Sequence, residues 1–375
     1  MAKVLIVGGG FGGVVAAESL VKKLGSDHEI TLVSRSRKFL FYPALVRFAF
    51  GKYQVEDISF DLRKALLDRR IRFVEGEISR INHHKRHVMF AHGDFVGEMP
   101  YDFLVLALGR RLATEQINGF FEHAHHLLGL EAAKKFGDAV RSFHQGHAVI
   151  GHCPGARLPI PVFETAFALS RLLQKRGERD RCAITILSNE TPDEMFGGAA
   201  VSEALREVLN SHRVEFVSDF AITQVTPTSV IAKDGRAFDC NLQMLVPPFR
   251  GPGAMLGTEI TDDAGFVRVN TTMRVSNTER TYAVGDCVNF QGPKLGHMAV
   301  RQGEVAAENL VAEIQGRALS AVYDHEMMLV IDAAGQDSIF MRKDLWTDDP
   351  TNIKQGKFWE WAKRMEKRYW KAKHA

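Results

Sequence analysis

The sequence predicts an α/β fold of two Rossmann-like dinucleotide-binding domains followed by a C-terminal amphipathic segment. Three observations carry this. An apolar N-terminal run ends in a glycine turn that opens a helix. A second strand, loop, helix and strand unit begins near His147. A final helix places its aromatic residues on one stripe.

Lys3 to Val7 is β-branched and apolar, the pattern of a buried parallel strand, and it runs into Gly8-Gly9-Gly10-Phe11-Gly12-Gly13 and a helix over Val14 to Lys23. This is the context the GxGxxG fingerprint needs. Gly8 makes the tight turn, Gly10 lets backbone approach a pyrophosphate, and Gly13 lets the helix pack on the strand. The helix N-terminus then faces the phosphates. The next strand, Glu29 to Val33, ends in Ser34-Arg35 where an acid usually holds the ribose hydroxyls; Ser34 can still bond a ribose and Arg35 can pair with phosphate.

Between the two halves of that first domain the chain restarts. A strand over His147 to Ile150, a loop from Gly151 to Pro161, a helix over Val162 to Gln174 and a strand over Cys182 to Leu187 form a second unit. Its loop, Gly151-His152-Cys153-Pro154-Gly155, lacks the fingerprint spacing, and its second strand ends in Ser188-Asn189 rather than an acid. NADH is therefore disfavoured as electron donor. The expected boundaries are 1–110 with 245–315 for the first domain, 111–244 for the second, and 316–375 for a C-terminal interface and tail.

Composition narrows the class. The chain has 375 residues, enough for two or three domains, and no run approaches the roughly 20 apolar residues of a spanning helix. Met1-Ala2-Lys3 leads straight into the first strand without a secretory h-region, so a cytoplasmic protein is expected. Cys153, Cys182, Cys240 and Cys287 form no CxxC pair, which argues against a zinc site or redox dithiol. His83, His84 and His87, and His123 with His125 and His126, lack regular ligand spacing and read as solvated loops; no metal is expected. Lys354 to Lys373 carries eight basic residues against Glu360 and Glu366, so the rest of the chain is near −3 and no nucleic-acid surface is indicated.

Two segments select the dinucleotide. Tyr101-Asp102-Phe103-Leu104-Val105-Leu106-Ala107-Leu108-Gly109-Arg110 resembles the YDxLVxAxG strand of two-domain FAD reductases, and Thr281-Tyr282-Ala283-Val284-Gly285-Asp286 resembles the TxYAxGD strand whose Asp contacts the ribityl chain. Further segments, Phe39-Leu40-Phe41-Tyr42-Pro43, Pro161-Val162-Phe163-Glu164, Pro247-Pro248-Phe249-Arg250-Gly251 and Lys294-Leu295-Gly296-His297-Met298, are similar to those of sulfide:quinone oxidoreductases. Those enzymes are relatives of type II NADH dehydrogenases and flavocytochrome c sulfide dehydrogenases. The resemblance covers nearly the whole chain and implies one FAD, peripheral membrane attachment on the inner face of the cell membrane, and transfer of two electrons through flavin to a quinone. It also implies that Ile78, Ala107, Leu108, Gly109, Arg110, Gly285, Asp286, Lys294 and Gly296 join Phe11, Gly12 and the other fingerprint glycines around FAD.

The departures are specific. Where sulfide-oxidising members carry two cysteines, this chain has Leu158 and, by our matching of the late strand, Leu329, so persulfide chemistry on paired thiols is not expected. Cys153 reads as inert core. Glu164 is the expected carboxylate between flavin and quinone, or a helix N-terminal charge. Lys294 is the expected cation beside the flavin pyrimidine end. His297 is either a proton donor to quinone or a surface histidine. An NADH dehydrogenase and a flavin-bound membrane sensor of low turnover stay open as alternatives.

The tail after Pro350 reads as one helix with Phe358, Trp361, Ala362, Met365, Tyr369 and Ala372 on a stripe, flanked by Trp359 and Trp370. Its aromatic and basic composition suits an anionic membrane surface. Docking on the protein or on a dimer partner is the other reading.

Overall fold

The computed structural model describes residues 1–336 and 338–375. The first strand, β1 (Lys3–Val7), is buried from Val4 onward and parallel to β2 (Glu29–Ser34) on one side and β6 (Phe103–Leu106) on the other. Three buried parallel strands demand near-continuous apolar sequence, which KVLIV and FLVL supply. The sheet has seven strands in the order β11-β6-β1-β2-β3-β4-β5. Its outer members are β3 (Arg72–Asn82), β4 (His87–Gly93), β5 (Gly97–Pro100) and β11 (Thr281–Ala283). Strand β11 comes from far along the chain and still pairs with β6, residue Ala283 opposite Leu106.

The glycine turn explains how helix α1 (Phe11–Leu24) lies so close to this sheet. Gly8 adopts φ +119, and a Cβ there would meet the Ala107 carbonyl oxygen at 2.0 Å; a Cβ on Gly13 would meet the Gly8 carbonyl oxygen at 1.9 Å. Any side chain at either position would push helix from strand. Helix α3 (Gly296–Ile314) packs along α1, with Gly303 against the Gly12 carbonyl.

The second sheet is also parallel, in the order β9-β8-β7-β10, formed by β7 (Gly146–His152), β8 (Cys182–Ser188), β9 (Glu215–Val217) and β10 (Leu242–Val246). Helix α2 (Ile160–Arg176) covers it and buries Phe163, Ala166, Phe167, Leu169 and Leu173. Both expected helices extend a turn or less beyond the sequence reading, ending at Gly25 and Gly177. The antiparallel sheet β12 (Glu326–Ile331), β13 (Ile339–Asp344) and β14 (Asn352–Gln355) leads into the last helix, α4 (Lys357–His374).

Candidate functional site

The carboxyl ends of β1, β2, β6 and β11 meet over the start of α1, the place where open parallel sheets bind ligands. Helix α1 begins at Gly10 with no side-chain cap and no acid in its first turn, so its leading N–H groups are free for an anion. A Cβ on Gly10 or on Gly109 would touch nothing. Ser34 stands over the turn, its Oγ within 2.8 Å of where a Gly9 Cβ would lie, while Arg35 is exposed. Ala107 N–H donates to the Val7 carbonyl, which brings Leu108 and Gly109 to the turn. Gly296 lies against the Phe11 ring. Ile78 is partly buried on β3, three residues past the last rung that β3 shares with β2.

Asp286 follows β11 and forms an ion pair with Arg110, whose guanidinium lies 4.3 Å from the Phe249 ring centre. Arg110 Nε is buried with no partner. Open space at two glycines, an uncapped helix start, a half-buried carboxylate and an orphaned guanidinium N–H fit a phosphate- and hydroxyl-bearing dinucleotide. The sequence-predicted glycines, Ser34, residues 107–110, Gly285, Asp286 and Gly296 thus converge.

The three candidate catalytic residues fare differently. Glu164 lies in the second turn of α2 and is buried, so it does not act as a charge at the helix start. Its Oε1 accepts the Asp332 N–H at 2.7 Å and pairs with Lys363 of α4. Burial raises its pKa, Lys363 opposes that, and the Asp332 charge adds to the rise. Asp332 in turn binds Arg47 at 2.5 Å, and Arg47 binds Glu360 of α4 at 2.9 Å. Lys294 is buried, and its Nζ donates to the carbonyls of Val288 and Phe290. Burial and the neighbouring Arg157 push its pKa down to about 7, against the pull of Asp286. Arg157 is a cation that the sequence reading missed; it donates to the Phe290 and Gly292 carbonyls.

His297 is spent elsewhere. Its Nε2 lies 2.9 Å from the Glu326 carbonyl and 3.1 Å from Met328 N, which ties α3 to β12, and burial lowers its pKa. Cys153 is fully buried with Val149, Leu187, Ile222 and Leu245, and burial pushes its thiol pKa up. All four cysteines are free and buried. Leu158 is partly buried and Leu329 points inward from β12.

The second-domain loop differs from expectation in one respect. An acid does approach the end of β8: Glu190, two residues past the strand, lies 3.4 Å from Nδ1 of His152. His152 is buried with neither ring nitrogen hydrogen-bonded, and Cys153 beside it is also buried.

Three of the tail's basic residues bind the protein body: Lys363 to Glu164, Lys367 to the Asp57 carbonyl at 3.1 Å, and Lys371 to the Glu56 carbonyl. His374 joins Glu18 at 2.7 Å. Trp370 is 8% exposed and packs on Phe11 at 4.7 Å and Phe39 at 5.6 Å, and Trp359 stacks on Phe340 at 4.2 Å. Residues 360, 363, 367, 370 and 374 therefore form the docked face. Of the stripe read from the sequence, Phe358, Trp361 and Tyr369 face outward, 61%, 50% and 64% exposed, while Ala362 and Met365 are partly buried. No helix among the described residues is long and apolar enough to cross a membrane.

Comparison with known proteins matches residues 2–303 to the pyridine nucleotide-disulphide oxidoreductase family. The chain is 29% identical over 341 residues to a sulfide-quinone reductase of Aquifex aeolicus, covering 84% of this chain and 77% of that one. It is 20% identical over 345 residues to a type II NADH:quinone oxidoreductase of Staphylococcus haemolyticus, covering 84% and 83%. The X-ray structure of the sulfide:quinone oxidoreductase from Aquifex aeolicus superposes with a TM-score of 0.90 at 24% identity, over 98% of this chain and 90% of that one.

Proposed function

The chain belongs to the pyridine nucleotide-disulphide oxidoreductase family, and on that premise we propose that it is an FAD-dependent oxidoreductase that passes two electrons to a quinone at a membrane surface. The observation that carries this is the convergence of Asp286, Gly109 and Gly296 on the uncapped start of α1, in a chain similar to enzymes named for quinone reduction. Bound there, FAD would accept electrons from a donor and release them to the quinone. Residues 1–110 with 247–315 make the FAD domain in this reading and 111–246 the second domain, the expected boundary at 244 moving because β10 continues the second sheet to Val246; 316–375 is the membrane-facing end.

The chain's own residues have definable tasks. Gly8 to Gly13 and the α1 N–H groups hold the pyrophosphate, with Ser34 and Ile78 at the adenosine end. Asp286 accepts ribityl hydroxyls once Arg110 gives it up. Lys294, with a pKa near neutrality, adds positive charge when protonated to the pyrimidine end, where reduction places negative charge. Glu164 holds a proton more readily than an exposed carboxylate and can deliver it to a quinone oxygen, and Lys363 restrains that tendency. His297 is a positioning residue for β12 and is not assigned proton transfer.

The donor is a separate matter. Leu158 and Leu329 provide no thiols, and NADH is disfavoured because the loop from Gly151 to Gly155 lacks the GxGxxG spacing and β8 ends in Ser188-Asn189. The outward stripe of α4 supports peripheral attachment to the inner face of the cell membrane: its aromatic rings point away from the body while the opposite face of the same helix holds Glu164 through Lys363. Anaerobic titration of the purified yellow protein with sulfide, other thiols and NADH, followed by addition of a quinone, tests the reading. A protein that releases no FAD on denaturation would sink it.

A further inference from the structure

His83 and His84 sit in the turn between β3 and β4, and nothing near them in sequence completes a ligand set. The fold does so. Glu259, 176 residues away, brings one carboxylate oxygen to 2.7 Å from His83 Nε2 and 3.0 Å from His84 Nε2. The three ligand atoms lie within 4.8 Å of one another, and the two imidazole rings are 4.1 Å apart, both aimed at the same oxygen.

We propose that His83, His84 and Glu259 form a surface site for a divalent transition-metal ion of the zinc class. Two imidazoles and one carboxylate suit Zn²⁺, with water in the remaining position. In a tetrahedral site with bonds of about 2.0 Å, ligand atoms stand about 3.3 Å apart. The two nitrogen–oxygen separations, 2.7 and 3.0 Å, are about 0.6 and 0.3 Å shorter, so the carboxylate must withdraw by roughly half an ångström to admit an ion. Both backbones are already held. Asn82 Oδ1 accepts the Lys85 N–H at 3.0 Å beside buried Ile81, and the carbonyl of buried Ile260 accepts the Arg268 N–H at 2.9 Å.

The consequence is a clip. The segment around Glu259 leads from the crossover strand at Phe249–Arg250 back toward β11. A metal bond would fasten it to the β3–β4 hairpin, closing a long loop without any change at the flavin site. This role is independent of the redox reading above.

The test is titration of tag-free, flavin-loaded protein with zinc chloride by calorimetry, together with thermal unfolding with and without the ion. One equivalent should bind with micromolar affinity and raise the unfolding temperature. His84→Ala and Glu259→Gln, both at exposed positions, should each weaken binding at least tenfold and remove the thermal effect. His87→Ala should leave both unchanged, because the His87 Nδ1 is taken by the Lys85 carbonyl. Cobalt substituted for zinc should give the visible absorption of a four-coordinate site, lost in Glu259→Gln. Absence of one-equivalent binding, or binding indifferent to His84→Ala and Glu259→Gln, would overturn the proposal.

Discussion

Replacing Lys363 by Met removes the cation that faces the buried Glu164 carboxylate and leaves only the Asp332 N–H to stabilise its charge. Breaking a buried pair from one side costs about 3–5 kcal/mol. The carboxyl can escape part of that cost by binding a proton, which makes the loss depend on pH. Glu164 already has a raised pKa in the folded chain, so the unfolded state ionises first and stability falls as pH rises from the unfolded value toward the folded one. Without Lys363 the folded pKa moves higher still, and the fall continues further into the alkaline range. Keeping the carboxyl protonated against an unfolded pKa of about 4.3 costs at most ~1.6 kcal/mol at about pH 5.5, and ~5 kcal/mol at about pH 8. Lys363→Met should therefore lose about 3–5 kcal/mol at the higher pH and no more than about 1.6 at the lower. Urea unfolding of the flavin-loaded protein at both pH values measures this. Adding Glu164→Gln, which keeps an acceptor for Asp332 N–H, should recover most of the loss. An equal loss at both pH values, or none, would show that Glu164 is not held as a buried anion by the tail.

Further predictions concern separate parts of the molecule. Trp370→Ala should cost about 3–5 kcal/mol because it empties the cluster with Phe11 and Phe39. Phe358, Trp361 and Tyr369→Ala together should change stability little yet abolish co-sedimentation with anionic vesicles; retained sedimentation would assign the stripe to protein packing. Asp286→Ala should yield a colourless protein, with Arg110 left unpaired, and a tightly bound flavin in that variant would remove Asp286 from the cofactor site. Stopped-flow mixing should show slow flavin reduction even at millimolar NADH; with sulfide, turnover should proceed without polysulfide growth if Leu158 and Leu329 occupy the positions we match to the relatives' cysteines. Fast, saturable reduction at micromolar NADH would contradict the reading of the His152-Cys153 loop.

The parts legible in the sequence are those whose cause is local. A glycine turn between a β-branched strand and a helix needs only neighbours in the chain, so β1, the turn and α1 were placed from Lys3 to Gly13, and the YDFLVLALG and TYAVGD segments located Gly109 and Asp286. Contacts across the fold were not legible. Lys363 and Glu164 are 199 residues apart, and the basic run of the tail pointed to lipid because nothing local showed buried carboxylates and carbonyls awaiting it. Periodicity found the helix and its aromatic stripe, but docking used the opposite face, where Lys367, Trp370 and His374 combine hydrogen bonds with packing. Glu190 escaped notice because it acts from two residues beyond the strand end where acids are sought. His297 looked available because the helix position alone does not reveal that the β12 backbone claims its ring nitrogen.

The central claim is that electrons leave this protein by reducing a quinone, and single-turnover reoxidation tests it most directly. The purified protein is reduced anaerobically with dithionite to one equivalent and mixed rapidly with a water-soluble quinone. The account predicts that the oxidised-flavin absorption band returns in a saturable phase, with one quinol formed per FAD, and that Glu164→Gln slows this phase while leaving FAD content unchanged. A flavin that stays reduced in the presence of excess quinone, or reoxidises at the rate of free FAD in solution, would contradict it.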